Sequence, residues 1–215
     1  MLDFLFTNPL YFVLWIIALL VAITIHEFAH AWAADQLGDP TAKLQGRLTL
    51  NPLAHLDPVG TIAMLIFRFG WGKPVPVDPY NLKDPRKDSA LISLAGPASN
   101  FLLAIILSLF LRLLPIINLN SSILNLILTP IIIMCVMLGV FNLLPFHPLD
   151  GGKILIGILP EDLAKDWDGI LSQYGFFLLL LFIFPLIGGN SLITLIISPF
   201  VNFILSFLLP ATSLI

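Results

Sequence analysis

His26-Glu27-Phe28-Ala29-His30 reads as an H-E-x-x-H sequence inside a long apolar run. Residues four apart fall on one face of a helix, so two imidazoles at this spacing can hold one metal ion. The carboxylate beside them can accept a proton from an attacking water. A glutamate within a hydrocarbon span costs roughly 3 kcal/mol on insertion scales and calls for a function or a partner. The plainer use of the three groups is a buried polar cluster satisfied by hydrogen bonds.

Two histidines leave a catalytic zinc one protein ligand short, since such sites use three protein ligands and a water. The third is sought by depth. Asp150 lies in Asn142-Leu143-Leu144-Pro145-Phe146-His147-Pro148-Leu149-Asp150-Gly151-Gly152. The prolines stop a helix and hold the chain extended, and the glycines permit a tight turn behind the carboxylate. This presents Asp150 from a non-helical segment; its plainer use is to cap the helix that follows the break.

The elements that carry these groups are membrane spans. The 215 residues are 58% hydrophobic and 11% charged, with mean hydropathy +1.00. Soluble domains are about 25% charged, so a soluble globule and a disordered chain are excluded. Ten basic against thirteen acidic residues give no basic footprint for nucleic acid. One cysteine, Cys135, excludes a disulfide framework and a cysteine-rich metal site.

Apolar runs predict an all-α polytopic membrane protein with about five spans, four and six being the alternatives. They are Tyr11–Ala34, Ser89–Leu114, Ile123–Leu144, Tyr174–Ile187 and Leu192–Leu209. The 38–88 connection holds a short apolar patch, Thr61–Phe69, expected as strands or a re-entrant segment. Pro74-Val75-Pro76-Val77-Asp78-Pro79 suits an extended edge. Residues 1–215 read as one membrane domain, with a catalytic core over about 11–160 and accessory helices over about 170–210. No appended soluble domain is expected.

Nine of the ten basic residues fall in the 38–88 connection and in the connection after the third span. Positive charge marks the cytoplasmic side. The expected placement is therefore N-terminus outside, with the C-terminus and the opening of the site inside. On this topology the inner end of the first span, with His26 and His30, and Asp150 share one face.

Four segments in this order resemble the site-2 protease family of intramembrane zinc metalloproteases, in its short form: H-E-F-A-H at 26–30, N-P-L-A-H-L-D-P-V-G-T at 51–61, G-P-A-S-N at 96–100 and N-L-L-P-F-H-P-L-D-G-G at 142–152. The resemblance implies that His26, His30 and Asp150 hold a single zinc ion and that Glu27 is the catalytic base. It implies as substrates membrane proteins with a transmembrane helix, such as membrane-held regulators or leftover signal peptides. Where that family has a proline this chain has His147, which could support a zinc ligand, replace one, or be a tolerated substitution. His55 reads as a hydrogen-bonded structural residue or as a neighbour of the site that contacts substrate.

Asn100 and Asn142 lie in apolar helices, where an unpaired amide is costly. Each suits helix–helix hydrogen bonding or stabilisation of the oxyanion formed in peptide hydrolysis. Gly96 and its small neighbours suit close helix packing. A substrate helix must unwind before attack, and the Val75–Val77 stretch could pair with it as a strand edge. A metal transporter would instead spread ligands along both halves of the bilayer, and a protease of soluble or juxtamembrane peptides would share the same site. An inactive relative acting as a scaffold is disfavoured by intact Glu27, His26 and His30. The sequence leaves the oligomeric state open.

Overall fold

The computed structural model describes residues 7–67, 70–116, 122–187 and 190–209. Helix α1 (Pro9–Gln36) opens with Pro9 in its first turn and the Asn8 side chain accepting from the Tyr11 N–H. It closes before Gly38, whose φ of 105° suits a residue without a Cβ. A four-residue turn of helix, α2 (Thr41–Leu44), follows, then α3 (Pro58–Phe67). The long helices α4 (Pro85–Leu113) and α5 (Ser122–Asn142) come next. The chain ends with α6 (Asp150–Ile158), α7 (Glu161–Ile183), the two short strands β1 (Pro185–Ile187) and β2 (Asn190–Ser191), and α8 (Leu192–Leu208). Four helices, α1, α4, α5 and α7, are long and apolar enough to cross a membrane, and α8 is shorter.

The core is a seam between α1, α4, α5 and α8. Ala18 and Ala22 of α1 and Ala104 of α4 are fully buried there with Ile132, Cys135 and Val136 of α5. The small side chains let the helix axes approach, which replaces the hydrophobic effect as the driving force in lipid. Larger side chains such as Leu102, Ile106 and Phe203 face outward, as the bilayer allows.

Three expectations are corrected. Residues 58–67 form a helix, so the strand reading of the 61–69 patch fails; only the bridge between Leu56 and Gly72 is strand-like. Residues 68 and 69 lie outside the described residues. Beyond the helix residues 73–78 carry no regular secondary structure, with Asp78 in the extended region. The helix and this return fit a re-entrant element.

The fourth span begins at Glu161 rather than Tyr174. Its first turns carry Glu161, Asp162, Lys165, Asp166 and Asp168, which hide the helix from a search for apolar runs. An acidic first turn and the Glu161–Lys165 pair at 2.9 Å favour helix there.

The third correction concerns the chain ends. Arg112 Nη2 and Ser108 Oγ, late in α4, donate to the carbonyls of Phe207 and Leu208 at the end of α8. Helix α1 runs antiparallel to α4, since Ser99 reaches the Ile25 carbonyl and Asn100 reaches His26 while Ala18 and Ala22 pack with Ala104. The start of α1 and the end of α8 therefore lie at the same end of the bundle, which fits the four-span alternative. The reason lies in α7. Arg86 at the start of α4 donates to the Leu159 carbonyl at 2.5 Å, which fixes where α7 begins. Its later turns meet the 146–149 loop, through Gly175 against His147 and Phe182 on Phe146. The pairing of Pro185 with Ser191 then starts α8 at that depth. Helices α7 and α8 together make one net passage.

The connection between α1 and α4 is organised by a fully buried carboxylate. Asp39 accepts from the Thr41 N–H (3.1 Å) and hydroxyl (2.5 Å), the Asp78 N–H (2.8 Å) and the Asn81 amide (2.9 Å). Burial alone would raise its pKa, but these donors outweigh burial and hold it below the ordinary aspartate value. A depressed carboxylate pKa stabilises the fold above the unfolded value of about 4 and loses that contribution as pH falls through the folded value. Asp39→Asn or Asp39→Ala is expected to cost about 2–4 kcal/mol. Limited proteolysis of the 38–88 connection in detergent should show it opening below about pH 4 in the parent and already at neutral pH in the variants.

Candidate metal centre

Each ligand-bearing side chain is set by its helix. His26 and His30 stand one turn apart on α1, about 15 and about 9 Å from its end by helical rise. Their Nε2 atoms are 3.0 Å apart. Asp150 Oδ2 lies 3.1 Å from the first and 3.2 Å from the second. These are the only three such groups that could share an ion among the described residues.

The donor chemistry of this triangle fits a metal. His30 Nδ1 lies 2.7 Å from the Ile92 carbonyl, which can only accept, so Nδ1 carries the proton and Nε2 presents a lone pair. His26 Nδ1 lies 3.4 Å from the Asn100 amide. Asn100 Oδ1 is buried without a partner. An amide can be turned over with little change of shape, and with Oδ1 toward His26 it accepts from Nδ1–H, which leaves the Nε2 lone pair facing the centre as in His30. Two Nε2 lone pairs and a carboxylate oxygen then face one another. Asp150 Oδ2 is buried and has no conventional hydrogen bond there, although both imidazoles are at ion-pair distance. The separations approach the edge of about 3.3 Å of a tetrahedron with bonds near 2.0 Å. Burial works against ionisation of Asp150, but the two imidazoles hold its pKa well below the usual carboxylate range.

Asp150 is the first residue of α6, preceded by Leu149 with no side-chain cap bond. It thus opens a helix rather than ending an extended segment, and its carboxylate turns to the histidines instead of capping. The approach of α4 to α1 depends on Gly96. A Cβ there would stand 2.7 Å from His26 Cε1 and nearer still to the His30 ring. Sequence reasoning assigned Gly96 packing and no chemistry; the visible signal was a glycine within a small-residue cluster.

The three ligands line a cavity of about 370 Å³ with Glu27, Asn142, Val75 and Val77. Asn142 donates one amide hydrogen to the Leu138 carbonyl at 3.0 Å, which leaves the other N–H. Asn100 stands behind the His26 ring and is not among the cavity's lining residues. His55 is fully buried outside the ligand triangle, its Nε2 2.8 Å from the Thr49 carbonyl. Burial holds it toward the neutral form. His147 also lies outside the triangle and faces Asp168 at 3.5 Å, tying the loop before Asp150 to α7.

The profile of peptidase family M50 matches residues 14–125 and 115–182. The chain belongs to peptidase family M50. The site-2 protease resemblance and the family match thus agree. Among relatives of this M50 chain, the Bacillus subtilis protein named "Putative zinc metalloprotease YwhC" is 43% identical over 177 residues, 80% of either chain. The Mycobacterium tuberculosis protein named "Putative zinc metalloprotease Rip2" is 32% identical over 186 residues, 83% of this chain and 70% of the relative. The Methanocaldococcus jannaschii protein named "Zinc metalloprotease MJ0392" is 29% identical over 154 residues, 72% of this chain and 37% of the relative. No solved structure matches the M50 chain with significance.

Two substitutions separate the centre from its surroundings. Gly96→Val should lower metal affinity about 10–100-fold by displacing both imidazoles. His147→Ala should leave the metal content of the purified protein unchanged. Elemental analysis after dialysis against graded chelator reads both.

Proposed function

We propose that this M50 chain is an intramembrane zinc metalloprotease that hydrolyses peptide bonds in or beside the transmembrane segments of other membrane proteins. One observation carries the reading: His26, His30 and Asp150, from two helices far apart in sequence, converge beside Glu27 in a cavity within the span. A transporter would need further ligand groups along a path, and this is the one such cluster among the described residues.

His26, His30 and Asp150 would hold the zinc. When bound, it polarises the scissile carbonyl and makes an attacking water acidic near neutral pH. The Glu27 carboxylate accepts the proton of that water and delivers it to the departing amide nitrogen. The second amide hydrogen of Asn142 is available to the oxyanion. The apolar lining contributed by Leu19, Ile23 and Leu138 keeps bulk water from these groups.

The peptide must arrive extended, because a helical carbonyl is already hydrogen-bonded within its own helix. Val75 and Val77 alternate along one edge of the 73–78 segment and both line the cavity. That edge suits pairing with an unwound peptide. The basic residues of the 38–88 connection support a cytoplasmic opening, with the beginning of α1 and the end of α8 on the outer side.

Glu27→Gln should retain the metal and lose about 10²–10⁴-fold in cleavage rate. His26→Ala or Asp150→Ala should lose the metal itself. The assay pairs one cleavable sequence in a membrane-embedded substrate with the same sequence in a soluble peptide. Preferential cleavage of the embedded form is expected, and equal or better cleavage of the soluble form would sink the intramembrane reading.

A further inference from the structure

The connection that roofs the cavity contains a buried cation, Arg47, that makes no ion pair with a carboxylate among the described residues. Arg47 is only 5% exposed. Desolvating a guanidinium costs several kcal/mol unless its donors are satisfied. Its Nη1 donates to the Pro74 carbonyl at 3.1 Å and its Nη2 to the Lys73 carbonyl at 2.6 Å. The planar fork of arginine suits two adjacent carbonyls; a lysine ammonium would be a single point. Lys73 is held from its other side by its N–H on the His55 carbonyl at 2.9 Å.

The next residue is Val75, which lines the cavity together with Glu27. Pro74 and Pro76 flank it and have no N–H. Val75 is therefore the one residue of the Pro74-Val75-Pro76 triplet that can face Glu27 with a donor. A slip of one residue would put a proline, without a donor, in that place. Register here is set by the grip on the two carbonyls just upstream.

We propose that Arg47 is a positioning residue: by gripping the Lys73 and Pro74 carbonyls it holds Val75 beside Glu27 on the cavity wall and keeps the Val75–Val77 edge along the cavity. It touches no reacting atom. The role in catalysis rests on the metalloprotease reading; the role in holding Val75 does not.

The experiment uses the full chain, zinc-loaded in detergent micelles, with Arg47→Met and Arg47→Lys. Hydrogen exchange of a fragment covering 74–76 reads a single amide, that of Val75. Arg47→Met should speed that exchange about tenfold or more. It should also lower kcat about 10–100-fold with KM within about twofold and one zinc per chain retained. Arg47→Lys should fall between parent and Arg47→Met in both readouts. Parent-like exchange at Val75 in Arg47→Met would overturn the proposal, as would loss of zinc or a rise in KM with kcat unchanged. If the parent protein cleaves nothing, the metalloprotease reading fails. The exchange result then decides alone whether Arg47 holds Val75.

Discussion

Hydrocarbon hydrates neither an imidazole nor a carboxylate, so each polar group at the depth of His26 and His30 must find its partner within the protein. That constraint explains the arrangement around them. The outer edges of both rings are committed to α4, His30 through the Ile92 carbonyl and His26 through Asn100. Their inner edges are then forced toward one another and toward Asp150. A cluster of two lone pairs and a charged oxygen is poor as a hydrogen-bonded core, because nothing in it donates. A divalent cation resolves that conflict, and the buried oxygen without a conventional partner is the mark of it.

The backbone around the centre follows from the need to bring α4 that close. Glycine at 96 lets the rings lie against the helix backbone, and Ser99 returns its hydroxyl to the Gly96 carbonyl at 2.7 Å and not to lipid. Pro97, the next residue, is fully buried within α4 and leaves one backbone carbonyl of the preceding turn without its usual donor. On the other side, α6 lies along α4 and returns the chain from the depth of Asp150 to Arg86. The Arg86–Leu159 bond and the contact of Gly157 with Ala90 fix that return. Asp150 is thus held by the helix it begins and by the helix it packs against.

The grouping of His26, His30 and Asp150 was legible in the sequence because its parts are local or nearly so. H-E-x-x-H at helical spacing needs no tertiary information, and Asp150 could be placed by counting spans. The first three spans are legible for the same reason, being uninterrupted apolar runs. The hidden features depend on contacts between distant segments. The shared end of the bundle for the start of α1 and the end of α8 follows from Arg112 and Ser108 meeting the end of α8, about 95–100 residues later, which no window of hydropathy can register. The helix at 58–67 was ambiguous because an apolar run as short as Ile62–Phe67 satisfies a strand and a helix equally. Asn100 looked like a candidate donor to substrate, since an amide in an apolar helix announces that it has a partner without naming it. Arg47 was counted for its charge and its side of the membrane. Nothing in its neighbours said that it would be buried on two carbonyls.

The hydrogen bonding of a helix bears on how a peptide could reach the centre. A carbonyl within an intact helix is already bonded to its own helix, so on the proposed function a peptide would have to lie extended along the cavity that Glu27, Val75 and Val77 line. Extension exposes peptide N–H and C=O groups that hydrocarbon cannot satisfy, so unwinding is unfavourable anywhere in the span that lacks a partner for them. On the same reading the 73–78 segment would offer what partners remain there, chiefly around Val77, which lines the cavity. Under the proposed function, selection for substrates that unwind easily would need no pocket that reads particular side chains, because the cost of unwinding in lipid would itself discriminate among candidate helices.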